Sequence, residues 1–301
     1  MRDISALLEK TVASYKKGEE MPRFFLKRAI FASTLIIFNN MKKLLIVLAS
    51  MLVLSGCGTV PLTGRKQILL VSDQDVLSSS LTQYRDYMKT APKSASTQWS
   101  NMVTRVGKKI ADATERYLRA NGLAAEVKDF SWEFNLVKDD QVNAFCMPGG
   151  KIVVYEGLMK IVSSDDELAV VLGHEVAHAV AKHSNERMSQ QVLAQYGAQI
   201  LNRSLSEKSA AVQKLAGTVY GIGTQVGVML PFSRKHESEA DYMGLILMKM
   251  AGYNPDVAVG FWQKMSAGTT GTVPALLSTH PSDAQRIKDI QKALPTIKAN
   301  Y

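Results

Sequence analysis

The chain of 301 residues contains only two cysteines, Cys57 and Cys146, too few for a disulfide framework. It also lacks internal repeats, a glycine-rich phosphate loop and any nucleic-acid-binding motif, so the sequence gives no support to phosphoryl transfer or nucleic-acid recognition. No linker-like composition divides the region after Cys57, and one substantial core is expected there. The formal net charge of +9 suggests a polyanion partner, yet leaving out residues 1–56 reduces it to +4. That mild excess fits work near an anionic membrane.

The N-terminal region explains the difference. Met41-Lys42-Lys43 followed by Leu44 to Leu54 has the positive start and short apolar run of a secretory signal, too short for a comfortable membrane span. It ends in Leu54-Ser55-Gly56-Cys57, which resembles a bacterial lipobox. Cleavage before Cys57 and acylation of its thiol would tether the protein, since stable anchoring needs more than one acyl chain. Residue 58 is Gly rather than Asp, so the expected location is a bacterial cell envelope, on the outer membrane facing the periplasm. Residues 1–40 precede a complete signal and are expected to be an over-extended start, with 41–56 the signal peptide and 57–301 a single domain. Cys146 then has no disulfide partner, and reads as a small buried hydrophobe rather than a regulatory thiol.

What is present is led by His174-Glu175-Val176-Ala177-His178. On a helix, positions four apart share a face, so His174 and His178 can offer two ring nitrogens to one metal. Glu175 falls beside them, where a carboxylate can take a proton from a water on the metal. Val170, Val171, Leu172, Val176, Ala177, Val180 and Ala181 surround the histidines, describing a mostly buried helix. Ser164 with Glu167 has the form of a capping box, so the helix should begin near Asp165 and reach about His183, within a helical pattern that runs on to Ala198.

A catalytic zinc site takes a third protein ligand. The pattern HExxHxxGxxH does not supply it, because Ala181 and Ser184 occupy the glycine and third-histidine positions. His183 reads instead as a residue supporting a ligand or closing the helix. Downstream, Glu237 and Asp241 are four apart at the start of an apolar run to Met250. Two such helices could cross at a metal, with Glu237 binding it and Asp241 orienting a ligand histidine. The other reading of that segment is a charged, solvated helix start.

Together with Asn143-Ala144-Phe145, Pro148-Gly149-Gly150, the HEVAHAVAKHSNERMSQ and ESEAD segments and Ser278-Thr279-His280-Pro281, these motifs resemble the zinc metallopeptidase family of HtpX and the CAAX prenyl proteases. The likeness is greatest to its branch of bacterial periplasmic lipoprotein proteases such as LoiP and BepA, and covers roughly Leu62 to Leu294. It implies an α+β, mainly α, gluzincin-type metallopeptidase domain with a small β-sheet beside the active-site helix. It further implies one Zn2+ per subunit on His174, His178 and Glu237, with Glu175 as general base. Asp241 becomes the supporting carboxylate, and Glu237 is selected over the competing Glu239. The resemblance also implies that His280 approaches the zinc, either as a fourth, regulatory ligand or as a donor to the oxyanion. Read locally, His280 is a loop residue ahead of a helix capped by Ser282, with Arg286 one turn inside and able to pair with an acidic residue.

Strands are expected over Asp129 to Val137 and Lys151 to Tyr155, with Asn143, Ala144 and Phe145 on an edge strand that the resemblance places over the zinc. An exposed edge can hydrogen-bond an extended peptide, which suits unfolded or misfolded polypeptide substrates. Further helices are expected at Asn101 to Asn121, Pro255 to Met265 and Ser282 to Leu294, and a mobile helix or lid over the glycine-containing Leu205 to Leu230. The resulting expectation is a lipid-anchored zinc endopeptidase for envelope protein quality control. A lipoprotein chaperone with a metal-stabilised fold is the alternative, which the intact Glu175 disfavours.

Overall fold

The computed structural model describes residues 57–206, 234–267, 275–280 and 284–301. The expected start and signal segments, the glycine-containing stretch from 207 onward and Ser282 lie outside the described residues. Among the described residues, no helix is long and apolar enough to cross a membrane.

The chain opens with a two-stranded ribbon, β1 (Cys57–Thr59) and β2 (Lys66–Ile68), followed by helices α1 (Asp73–Thr90), α2 (Thr97–Ala120) and the short α3 (Ala124–Val127). Next come strands β3 (Glu133–Val137), β4 (Ala144–Met147) and β5 (Lys151–Tyr155), in the spatial order β3-β5-β4. A short α4 (Glu156–Met159) leads to α5 (Asp165–Val180) and α6 (His183–Leu205), and the remaining helices are α7 (Arg234–Met250), α8 (Val257–Ala267), α9 (Ala275–Thr279) and α10 (Ala284–Asn300). This is the mainly helical α+β architecture that the sequence led us to expect.

β5 occupies the centre of its sheet because every residue from Lys151 to Tyr155 is buried. It pairs parallel with β3 and antiparallel with β4, the latter with Ala144 opposite Val154 and Cys146 opposite Ile152. Gly149 (φ 91°) and Gly150 (φ 77°) make the turn between β4 and β5, a left-handed backbone that favours glycine. The result leaves β4 as the sheet edge next to α5.

α5 starts where its sequence signals say. Ser164 Oγ accepts from Glu167 N at 3.2 Å, and Glu167 Oε2 accepts from Ser163 N at 2.8 Å. Its residues from Leu168 to His178 are all buried, as a core helix apolar on every side must be. The helical pattern expected to run through to Ala198 is interrupted, however. Lys182 turns into the left-handed region at φ 54°, which for a non-glycine residue costs about 1–2 kcal/mol. Ion pairs from its Nζ to Asp73 at 2.7 Å and Glu126 at 2.6 Å hold that turn, and His183 begins a new helix instead of closing the old one.

Other boundaries shift for local reasons. α2 begins at Thr97 rather than Asn101, because Ser96 Oγ caps it through Trp99 N. α10 passes through Pro295 to Asn300, beyond the expected stop at Leu294, with Ile297 fully buried. β1, β2, α1, α3, α4 and α9 have no counterpart in the expectations.

At the crossing of α5 and α7, backbone meets backbone. A Cβ placed on Gly173 would lie 2.7 Å from the Gly244 carbonyl oxygen, and one on Gly244 would lie 2.7 Å from His174 N. Only paired glycines permit this approach. Gly173→Ala is therefore expected to destabilise the fold by about 1–3 kcal/mol through overpacking. Gly260→Ala, in α8 with open space around the site, should instead stabilise by about 0.4–1 kcal/mol. Denaturant unfolding of the two variants checks both signs.

Candidate active site

The five histidines of the chain are all buried, and among the described residues the acids and bases around them form one connected network. α5 supplies His174, Glu175 and His178. α7 supplies Glu237, Glu239 and Asp241, and His280 follows directly on α9. Because α7 crosses α5 at the glycine pair, its first turns face the two histidines directly.

Ligating atoms of His174, His178, Glu237 and His280 all lie within 4.8 Å of one another, a group able to hold a metal ion. His174 Nε2 is 3.1 Å from His178 Nε2 and 3.3 Å from His280 Nδ1. Glu237 Oε2 is 3.3 Å from His174 Nε2, and its Oε1 is 3.4 Å from His178 Nε2 and 3.0 Å from His280 Nδ1. Glu175 stands beside this group, its Oε2 accepting from Cys146 N of β4 at 3.3 Å and its Oε1 lying 3.5 Å from His280 Nε2. No member of the cluster is more than 5% exposed.

Asp241 and Arg286 close the opposite side. Asp241 Oδ1 is 2.9 Å from His174 Nδ1, which puts the ring proton on Nδ1 and turns the Nε2 lone pair toward the cluster. Arg286, on the first turn of α10, holds Asp241 through Nε and through Nη2 at 2.8 Å, and reaches Glu237 Oε2 through Nη1 at 3.1 Å. Its guanidinium lies 4.3 Å over the Trp262 ring, whose edge also meets His174. The pairing of Arg286 with acidic residues, left open by the sequence, is thus the hub of this side.

The electrostatics favour a cation. Burial and the Arg286 charge pull the His174 pKa down, but hydrogen bonds to Asp241 and Glu237 outweigh them and raise it to about 9. Burial also opposes ionisation of Glu237, yet its histidine contacts hold it far below the usual carboxylate range. Burial drives His178 well below its ordinary value. Glu237 and Asp241 share a single guanidinium, that of Arg286, and the charge of Glu175 adds to theirs. Two Nε2 atoms converging beside a carboxylate, with a bound cation taking the place of the proton that His174 otherwise holds, are a nitrogen and oxygen donor set suited to Zn2+, and the residues present fit it.

Each of the site positions expected on α5 and α7 is brought into this cluster, and His280 joins them. The edge residues are arranged differently from one another. Asn143 Oδ1 accepts from Ala144 N at 3.0 Å, and Ala144 is buried. Phe145 turns its ring to Tyr87 and Tyr155, at 5.6 and 6.3 Å between centroids. Cys146 is half-buried rather than buried, and burial pushes its thiol pKa up. Cys57 opens β1. The sequence did not anticipate Trp262, nor the partnership of Glu239 with His183 at 3.0 Å. His183, expected to support a ligand or close a helix, begins a new helix and lies with its Nδ1 2.8 Å from Nδ1 of His178.

Comparison with known proteins agrees with this geometry. Residues 105–294 match the model of Peptidase family M48. The mitochondrial metalloendopeptidase OMA1 of Schizosaccharomyces pombe is 37% identical over 191 residues, covering 62% of this chain and 52% of that protein. The Arabidopsis thaliana protein of the same name is 38% identical over 175 residues, or 58% of this chain and 34% of its own length. The beta-barrel assembly-enhancing protease of Escherichia coli is 28% identical over 167 residues, 52% of this chain and 33% of that protein. The chain thus spans about half the length of these relatives or less. With a family model matched across most of its length and a buried His, His, Glu and His cluster built to hold a metal, the chain belongs to peptidase family M48.

Proposed function

We propose that this chain is a zinc-dependent endopeptidase that hydrolyses peptide bonds of unfolded or misfolded polypeptides while tethered to a bacterial envelope membrane through Cys57. The observation that carries the reading is the placement of Glu175 between the metal-holding cluster and the edge strand, touching both.

His174, His178 and Glu237 would hold the zinc. Zinc held there supplies Lewis acidity toward the scissile carbonyl and a lowered pKa for water. Glu175 takes the proton of the attacking water on a carboxylate oxygen and returns it to the leaving amine. Asp241, clamped by Arg286, keeps the His174 ring oriented with Nδ1–H toward the carboxylate and Nε2 toward the cluster. β4 binds substrate as an added strand, using backbone groups directed away from β5, of which Cys146 N is one. A peptide lying on this edge displaces the Cys146 contact and leaves Glu175 Oε2 to its proton.

His280 occupies the remaining side of the cluster, where a water or a carbonyl would need to sit. This is a latent arrangement, opened by withdrawal of the segment that carries His280. The lipobox-like run ending at Cys57 supports an acylated N-terminus on the periplasmic face of the outer membrane, and an edge strand that reads backbone supports envelope quality control.

Glu175→Gln should lower hydrolysis of an unfolded protein by about 10²–10⁴-fold with zinc content unchanged. Equal rates for the two forms would overturn the role of Glu175, and hydrolysis by neither form with zinc bound would overturn the endopeptidase reading. His280→Ala should hydrolyse the same substrate faster than the parent chain, whereas a slower variant would assign His280 to oxyanion stabilisation. Zinc at about 100 times its Kd should stabilise the metal-depleted protein by about 2.7 kcal/mol, raising Tm by about 5–10 °C, as read by calorimetry. Cys57→Ser should move the protein out of the membrane fraction and abolish incorporation of labelled fatty acid.

A further inference from the structure

His174 is oriented by Asp241, whereas the outer nitrogen of His178 meets another imidazole. Its Nδ1 faces Nδ1 of His183 at 2.8 Å, and His183 Nε2 in turn faces Glu239 Oε2 at 3.0 Å. Two ring nitrogens this close need one proton between them. For His178 to present an Nε2 lone pair, that proton must sit on its own Nδ1. His183 Nδ1 is then the acceptor, His183 Nε2 carries the next proton, and the Glu239 carboxylate accepts it. Each donor meets an acceptor in only this direction.

The far end of the chain is fixed from the segment just after Cys57. Thr63 Oγ1 donates to Glu239 Oε1 at 2.6 Å, and Arg65 Nε donates to Glu239 Oε2 at 2.7 Å. The same guanidinium forks onto Glu186 at 2.9 and 2.7 Å, and Glu186 also meets His236 Nε2 at 3.0 Å. His236 stacks on His183, with 4.4 Å between ring centroids. His183 is fully buried and Glu239 nearly so, so water does not compete for these contacts.

We propose that His183 and Glu239 are positioning residues that fix the tautomer and ring orientation of His178, and that Arg65 clamps the pair from the segment following Cys57. The inference rests on His178 being a zinc ligand. It makes the zinc affinity of the site depend on residues that touch no metal, including one on the N-terminal ribbon.

The test measures the zinc Kd of the purified chain by competition with a chromophoric chelator, together with the absorption spectrum of the Co2+ form. His183→Leu and Glu239→Ala should each weaken zinc binding about 10- to 100-fold and shift the Co2+ bands. His183→Asn, whose side-chain oxygen falls near the position of Nδ1, and Glu239→Gln, which keeps an acceptor, should recover most of the affinity. Arg65→Met should give a smaller loss in the same direction. A folded His183→Leu with parental Kd and spectrum would overturn the proposal. If His183→Leu does not fold, equal affinity in Glu239→Ala and Glu239→Gln overturns it instead. His178→Ala is the reference, because undiminished affinity there would overturn the ligand reading itself.

Discussion

The backbone contact between Gly173 and Gly244 is the constraint on which the rest of the structure depends. At this crossing, no side chain separates α5 from α7. One residue beyond Gly173 lies His174, and three residues before Gly244 lies Asp241, so the distance between the helices sets the distance between this imidazole and this carboxylate. A methyl group at either glycine would widen the spacing that the 2.9 Å contact between them needs. The surrounding core, from Leu168 and Leu172 on α5 to Leu247 and Met248 on α7, holds the crossing by burial alone. Apolar packing thus fixes the positions that the polar chemistry requires.

The polar groups placed there would be poor choices for stability. Carboxylates, imidazoles and a guanidinium buried together lose much hydration, and apolar residues of similar volume are often as stable or more so. They are tolerated because each is paired within a connected arrangement. Asp241 with Arg286 lies on one flank of the metal-holding cluster, and Glu239 with Arg65 on the other. The two flanks are built alike, although the arginines come from opposite ends of the described chain. Losing one partner would leave a buried charge alone, which typically costs 3–5 kcal/mol.

How much of this could be read in the sequence depended on how local the determinant was. The capping box at Ser164 and Glu167 and the four-residue spacing of His174 and His178 are short-range signals, and both took the expected form. Glu237 and Asp241 needed a second helix to be recognised, which their spacing and the family likeness supplied. The interruption at Lys182 was not legible, because a lysine has no preference for left-handed backbone and its stabilising partners, Asp73 and Glu126, are distant in sequence. The ribbon before α1 escaped notice for the same reason. Its strands are three residues each, and its importance lies in Arg65 meeting Glu239 across 174 positions.

The one-sided pairing of β4 bears on how folded and unfolded chains are told apart. Soluble proteins generally cover, charge or shorten an open strand edge, since it invites pairing with other chains. Among the described residues β4 carries no further strand, and under the proposed function a strand arriving there, beside a carboxylate and a metal-holding cluster, would be cut rather than retained. A folded protein has its extended segments already paired and offers nothing to this edge, whereas a damaged one exposes them. On the proposed function, selectivity for damage would need no pocket matched to any side chain. It would follow from backbone groups on the outer side of β4, Cys146 N among them, meeting unpaired backbone groups of the substrate.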